Sequence, residues 1–272
     1  KNQHNMKFKI CVLLIVLFAT LGLTPKEESK LKTATDNYFD VVRKGFTGDT
    51  AYETTAFVEK YWRVVGNTGF NKTVYRIADN LEKSGFVLQD KAKPEDRLTY
   101  RIEKRPLKNG TWEPVDASLK IVGETKPLLR YATNRNMIYL NSFSTPKKGV
   151  KSEVVYIKNA SELKTKNIKG KIVFTDARIR GLYQAIIVKG GALGMLTYNN
   201  PAYLQPEKNV TSIQFRSLPF DAAQKPWAMA LSYEAKEKLK SKLSKGTVKV
   251  KAKVTTKIYP SEELTIIADI KG

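Results

Sequence analysis

The residues that most often carry catalytic chemistry are almost absent from this chain. Its 272 residues include one histidine and one cysteine, His4 and Cys11, both near the start of the sequence. A Ser-His-Asp triad, a Cys-His pair and a zinc site with His or Cys ligands all depend on these residue types. His4 precedes a candidate initiator at Met6, and Cys11 lies in an apolar run typical of a secretion signal. We therefore predict no catalytic residue and no metal ligand in this chain.

Three side chains remain as candidates for substrate contacts. Arg178 and Arg180 follow an apolar strand predicted at 171–175, and their guanidinium groups could pair bidentately with a substrate carboxylate. Asn199 follows the next predicted strand and could also contact substrate. Each has a simpler interpretation: the arginines could be exposed loop residues, and Asn199 could belong to a turn before Pro201.

The elements that would position these residues are the clearest in the sequence. An apolar strand at 171–175 is followed by an amphipathic helix at 182–189, and Gly190 with Gly191 ends that helix. A second apolar strand follows at 192–198, so this order predicts a right-handed parallel strand-helix-strand unit. The glycines lack the G-x-G-x-x-G spacing of a phosphate-binding turn and follow a helix instead of opening one.

The rest of the chain carries weaker signals. Residues 26–35 are polar and predict a linker, and two helices are expected at about 50–62 and 71–84. Further strand signals fall at 86–88, 98–102, 119–122, 137–140 and 154–157. Near the end, Val250, Val254 and Ile258 predict a half-buried strand. The nearly continuous apolar run at 264–270 predicts an interior strand covered on both faces.

Charge and the N-terminal segment bear on location and partners. The basic start at 7–9 and the apolar run at 10–23 predict a signal peptide and export, placing the protein outside the cell, in the periplasm or in the cell envelope. The run is shorter than the roughly 20 residues of a membrane span, so no stable span is expected after cleavage, although an uncleaved anchor is an alternative. The formal net charge is +22, but lysines alternating with apolar residues at 248–254 indicate a solvated surface. We therefore expect no nucleic-acid partner.

The central strands resemble a known domain. The segments NIKGKIVFTDA and QAIIVKGGALGMLTYNN resemble the core of a protease-associated domain. The order and spacing of strand, helix and strand agree with that family. The matching residues are Gly170, Lys171, Ile172, Val173, Gly191, Ala192 and Gly194.

The flanking segments resemble secreted di-zinc aminopeptidases of the glutamate carboxypeptidase and leucyl aminopeptidase group. Near the start, the similarity rests on Arg63, Gly66, Gly69, Leu81, Gly85 and Phe86. Near the end, LTIIADIKG is similar to a strand of the form N-V-I-A-E-I-x-G, with Thr265 in place of Asn and Asp269 in place of Glu. The resemblance covers about 50–90 and 150–272.

This resemblance implies a mixed α/β fold with a β-rich protease-associated domain inserted into an incomplete α/β zinc-peptidase domain. The expected boundaries are an upstream and signal segment at 1–25, a peptidase lead-in at 26–135, the inserted domain at 136–247, and return strands at 248–272. Two zinc ions would be held by a catalytic region outside this sequence. The inserted domain would serve as a lid and a substrate-selecting wall of the active site. The peptide substrate would be bound by the complete enzyme. The chain alone would be inactive. The alternatives are a receptor-like binding module without catalysis and a cationic protein held at the envelope by charge.

Overall fold

The computed structural model describes residues 26–177 and 181–272. The predicted signal peptide and the segment 178–180, with Arg178 and Arg180, lie outside the described residues. The described chain has a mixed α/β fold with two sheets, and it divides into a unit that ends at Phe57 and a unit that starts at Val58.

The first unit is helical. Helix α1 spans Lys26–Gly45, and helix α2 spans Asp49–Val58, its last residue falling in the second unit. The prediction of a linker at 26–35 is wrong, because these residues form the first half of α1. Lysine and glutamate have high helix propensity, so a polar composition does not by itself indicate an extended linker.

The second unit opens with helix α3, which packs beside a three-stranded sheet. Helix α3 spans Thr68–Lys83, and the Asn67 side chain caps it by accepting a 2.8 Å hydrogen bond from the Phe70 amide. Gly85 ends the helical segment in a left-handed conformation, with φ of +90°. The sheet comprises β1 (Val87–Leu88), β2 (Leu98–Pro106) and β10 (Glu262–Ile270), in the order β1-β2-β10.

A seven-stranded sheet forms the centre of the second unit. Its strands are β3 (Thr111–Ile121), β4 (Leu129–Arg130), β5 (Val150–Tyr156), β6 (Ile172–Thr175), β7 (Gly194–Thr197), β8 (Ala228–Ala230) and β9 (Lys249–Tyr259). The order is β4-β3-β9-β5-β6-β7-β8, with β5 to β8 mutually parallel and the β4-β3, β3-β9 and β9-β5 pairs antiparallel. Helix α4 (Tyr233–Leu243) connects β8 to β9.

The predicted strand-helix-strand unit is confirmed. β6 and β7 pair in parallel, and a π-helical turn at Gln184–Lys189 lies between them in the chain. Every residue of β6, β7 and β8 is buried, as expected for parallel strands covered on both faces. In contrast, β9 starts with buried and exposed residues in alternation, so this part of the sheet has one core face and one solvent face.

Two strand predictions differ from the structure. The segment predicted at 137–140 instead holds the end of a 3₁₀ turn, Arg135–Met137, and isolated bridges at Ile138 and Leu140. The run at 264–270 does form β10, but among the described residues it pairs with β2 alone and is less buried than predicted, with 67% of Ile270 exposed. An apolar run can occur in a central strand or in a strand at the edge of a sheet. The pattern therefore does not determine the strand's position in the sheet.

Candidate functional site

The carboxyl ends of the parallel strands bring polar side chains together. In open α/β sheets this edge is where ligands most often bind. Tyr156 ends β5, Asp176 directly follows β6, and Tyr198 directly follows β7. Because β5, β6 and β7 are adjacent and parallel, these three residues lie along one edge.

Helix α4 places two lysines against this edge. Lys236 and Lys240 are four residues apart, so they project from the same face of the helix. The helix begins at the Ser232 cap, whose hydroxyl accepts a 3.2 Å hydrogen bond from the Ala235 amide, and it is anchored in the core by fully buried Leu239. We call Tyr156, Asp176, Tyr198, Tyr233, Lys236 and Lys240 the strand-end cluster.

Asp176 is the centre of the hydrogen-bonding network. Its Oδ2 accepts a 2.8 Å bond from Lys240 Nζ, and its Oδ1 accepts a 2.6 Å bond from the Tyr156 hydroxyl. Burial opposes ionisation of this carboxyl group, but the bonds from Lys240 and Tyr156 outweigh it and lower the pKa of Asp176. The bond to Asp176 raises the pKa of Lys240, and burial raises the pKa of Tyr156.

The second lysine is enclosed by aromatic rings. Lys236 Nζ lies 4.4 Å from the ring centroid of Tyr198 and 4.1 Å from that of Tyr233. It also forms a 2.6 Å ion pair with Glu237, and only 11% of its side chain is exposed. Contacts of this kind stabilise an ammonium group by about 0.5–2 kcal/mol each, depending on desolvation.

These protonation states determine what the cluster can do. With a lowered pKa at Asp176 and a raised pKa at Lys240, both groups are charged at neutral pH, so neither is poised as a general acid or base. The cluster therefore clamps helix α4 to the strand ends and shapes the surface there. Sequence reasoning missed it, because the Asp176–Lys240 contact spans 64 positions.

A groove of about 840 Å³ opens beside the cluster, between β5 and the end of α4. Its lining includes the apolar residues Val154, Val155 and Leu243 and three lysines, Lys158, Lys166 and Lys240. Lys166 is already bound, because its Nζ donates to Glu162 at 2.9 Å and to the Tyr156 carbonyl at 2.8 Å.

Asn199, the one predicted contact residue that is described, lies next to this cluster. It follows Tyr198 at the end of β7 and is half-buried, and its carbonyl oxygen accepts a hydrogen bond from the Arg216 guanidinium. The neighbouring Asn200 side chain donates to the Ser212 carbonyl at 2.8 Å, which fixes the loop to the segment 211–217. The structure thus brings Asn199 to the strand ends, and it neither assigns nor excludes substrate contact.

The described residues do not form a metal site. Among positions 26–177 and 181–272 there is no group of three or more His, Cys, Asp or Glu side chains that could hold a metal ion. The carboxylate of the strand-end cluster is instead saturated by a lysine and a tyrosine. A zinc ion with protein ligands therefore does not fit the residues that the structure describes.

Comparison of the sequence with protein-family models and with curated proteins gives no match. Comparison of the fold finds similar solved structures. A structure of BSAP, a zinc aminopeptidase from Bacillus subtilis, matches with a TM-score of 0.54 and 16% identity, covering 82% of this chain and 47% of that one. A second, medium-resolution BSAP structure gives a TM-score of 0.52 with the same identity and coverage. The aminopeptidase from Aneurinibacillus sp. strain AM-1 is 20% identical, with a TM-score of 0.48 over 81% of this chain and 47% of its own.

The two BSAP matches show a similarity of fold. The chain shares a mixed α/β arrangement with BSAP and spans about half the length of the structures it matches. No helix in the described part of the chain combines the length and apolarity that crossing a bilayer requires.

Proposed function

We propose that this chain is the non-catalytic, substrate-selecting part of an exported zinc-dependent exopeptidase of the aminopeptidase or carboxypeptidase type. In this proposal residues 136–247 form a protease-associated domain, and the zinc ligands belong to a region outside residues 1–272. The seven-stranded sheet that contains β5 to β8 also includes β3, β4 and β9, which lie outside these bounds. The complete enzyme would hydrolyse peptides, and this chain would itself bind their free ends.

The observation that carries the proposal is the fold similarity to BSAP over 82% of this chain, at a TM-score of 0.54. The sequence resemblance is a second line of support, because two of the matching glycines stand where a larger residue would be strained or would clash. Gly191 has a φ of +64°, and a side chain at Gly194 would collide with the indole ring of Trp227.

Within this proposal the strand ends form a wall of the substrate cleft. The strand-end cluster holds helix α4 and the loop after β7 in place, and Asn199 lies on that loop. A wall of this kind excludes water and admits only a free peptide end, which is what separates an exopeptidase from an endopeptidase. Arg178 and Arg180 follow β6 and remain proposed contacts for a substrate carboxylate.

The proposal is tested by peptide binding to the purified chain. Calorimetry would compare Leu-Ala-Ala with its acetylated and amidated counterpart. A charged hydrogen bond contributes about 1.5–3 kcal/mol, so the free-ended peptide should bind about tenfold or more tightly. Equal affinity for the two peptides, or no binding of either, would overturn the selecting role.

Matched variants assign the binding to the strand ends. Asn199→Ala should weaken binding of the free-ended peptide about fivefold, the effect of one neutral hydrogen bond. Asn109→Ala, in the exposed turn between β2 and β3, should leave it unchanged. Zinc content and hydrolysis of leucine p-nitroanilide complete the test: stoichiometric zinc together with turnover would contradict the non-catalytic assignment.

A further inference from the structure

Five lysines share the solvent face of the seven-stranded sheet. On β9, Lys249, Lys251 and Lys253 alternate with buried Val250, Ala252 and Val254, so they point away from the core. Lys120 on β3 and Lys151 on β5 lie on the same face, because each stands opposite Lys251. We call Lys120, Lys151, Lys249, Lys251 and Lys253 the lysine face.

The pairing register sets like charges directly against one another. Lys251 has a lysine opposite it on both neighbouring strands. Adjacent strands are about 4.8 Å apart, and alternate residues along a strand are separated by about 6.7 Å. Like charges opposite each other destabilise a sheet, so this arrangement has a cost to folding.

The acids that border this face, Asp116 on β3 and Glu153 on β5, do not form ion pairs with its lysines. None of the five lysines has an ion-pair partner among the residues the structure describes. Glu153 stands opposite Lys249, but its carboxylate is paired with Lys171. Lys253 faces Ser118, and Arg130 on β4 extends the same row with a further positive charge.

In the smaller sheet of the same unit, arginines are paired with acids on the neighbouring strand. There Arg101 pairs with Asp269 at 2.9 Å and Arg105 pairs with Glu263 at 2.8 Å, both across the β2-β10 interface. Surface charges are therefore paired across strands in the smaller sheet and left unpaired on the lysine face of the larger one. The lysine face of the larger sheet lacks negative charge, and a negatively charged partner would supply it.

We propose that the lysine face binds a linear polymer of phosphate groups. Rows of point charges repeated along β9 match a chain of regularly spaced anions, and lysine binds phosphate as a point charge. The residues next to these lysines on the same face, Ser118, Glu153 and Thr255, are polar or acidic and provide no aromatic ring on which nucleic-acid bases could stack. This surface is separate from the strand-end cluster, so the proposal is independent of the peptidase role.

The test compares two triple variants that lower the net charge equally. K120Q/K151Q/K251Q removes the central row of the lysine face. K108Q/K164Q/K208Q removes three exposed lysines from other loops and turns and serves as the control. Binding of inorganic polyphosphate would be measured by calorimetry between 50 and 200 mM NaCl, roughly the range over which charge-driven binding changes most, with circular dichroism as a check on folding.

The slope of log affinity against log salt is negative, and each lost phosphate contact makes it shallower by about 0.7 on a single-stranded polyanion. Loss of three contacts therefore corresponds to about a 100-fold weaker affinity at 0.1 M salt, whereas the control should weaken less than about threefold. Lys251→Gln alone should make the slope of log affinity against log salt shallower by about 0.7, which keeps the test decisive if the triple variant does not fold.

Other polyanions serve as competing partners. Poly-glutamate and phosphatidylserine vesicles should bind more weakly than polyphosphate of equal charge. The proposal is overturned if either binds as tightly, if the two triple variants lose affinity equally, or if the wild-type chain does not bind polyphosphate.

Discussion

Replacing Asp176 by asparagine tests whether the strand-end cluster holds helix α4 in place. The substitution keeps the shape of the side chain and an oxygen that can accept the Tyr156 hydroxyl, but it removes the charge that faces Lys240. Only 18% of the Asp176 side chain is exposed, so its ion pair lies partly out of water.

The expected loss follows from the hydrogen bond and its exposure. A hydrogen bond to a charged group contributes about 1.5–3 kcal/mol, and 36% exposure of the Lys240 side chain reduces this through solvent screening. We expect Asp176→Asn to lower the free energy of unfolding by about 1–2 kcal/mol, or the melting temperature by roughly 2–8 °C. Urea unfolding followed by tryptophan fluorescence measures this directly.

The loss should depend on pH in a defined direction. The folded-state pKa of Asp176 lies below that of an unfolded aspartate, about 3.9, so the stabilisation is complete above that pH. It disappears as the pH falls through the folded-state pKa. The difference between wild type and Asp176→Asn should therefore be constant from about pH 5 to 8 and shrink at lower pH.

Asp116→Asn is the matched control, because Asp116 is exposed on β3 and its carboxylate has no hydrogen bond or ion pair within the described part of the chain. It should change the free energy of unfolding by less than about 0.5 kcal/mol. A loss at Asp176 that is the same at pH 3 and pH 7, or no larger than the control, would refute the clamping role.

Three further substitutions probe the core, a buried hydrogen bond and the lysine face. Gly194→Ala should cost about 1–3 kcal/mol by thermal unfolding, because the added methyl group meets the Trp227 ring, whereas Gly45→Ala, with open space around it, should not destabilise. Tyr139→Phe should cost about 1 kcal/mol in urea unfolding, since Thr197 loses the partner of its buried hydroxyl; no loss would mean that water replaces it. Lys251→Thr should raise the free energy of unfolding by about 0.2–1 kcal/mol at low salt by relieving its two lysine neighbours, and the gain should shrink in 1 M NaCl.

The sequence predicts best where local pattern and burial coincide. The strands at 171–175 and 192–198 are short apolar runs bounded by glycine, and β6 and β7 form there with every residue buried. Alternation likewise locates β9, because one face of that strand meets the core. Helix α3 and its glycine stop follow from equally local signals.

Prediction fails where the outcome depends on distant partners. The Asp176–Lys240 bond exists only because helix α4 returns across the strand ends, and nothing near either residue signals it. The lysines of β9 are visible in the sequence, but their opposition to Lys120 and Lys151 needs the pairing register. The apolar run in β10 does not reveal whether a second strand covers its edge.

The most direct test of the proposed function is amide mapping of peptide binding on the isotopically labelled chain. Titration with Leu-Ala-Ala should shift the amide signals of Ala177, Tyr198 and Asn199 at the strand ends, and the peptide with both ends blocked should need about a tenfold or greater concentration to shift them equally. Shifts that do not distinguish the two peptides, or that fall only on the lysine face, would contradict a substrate-selecting role for this chain.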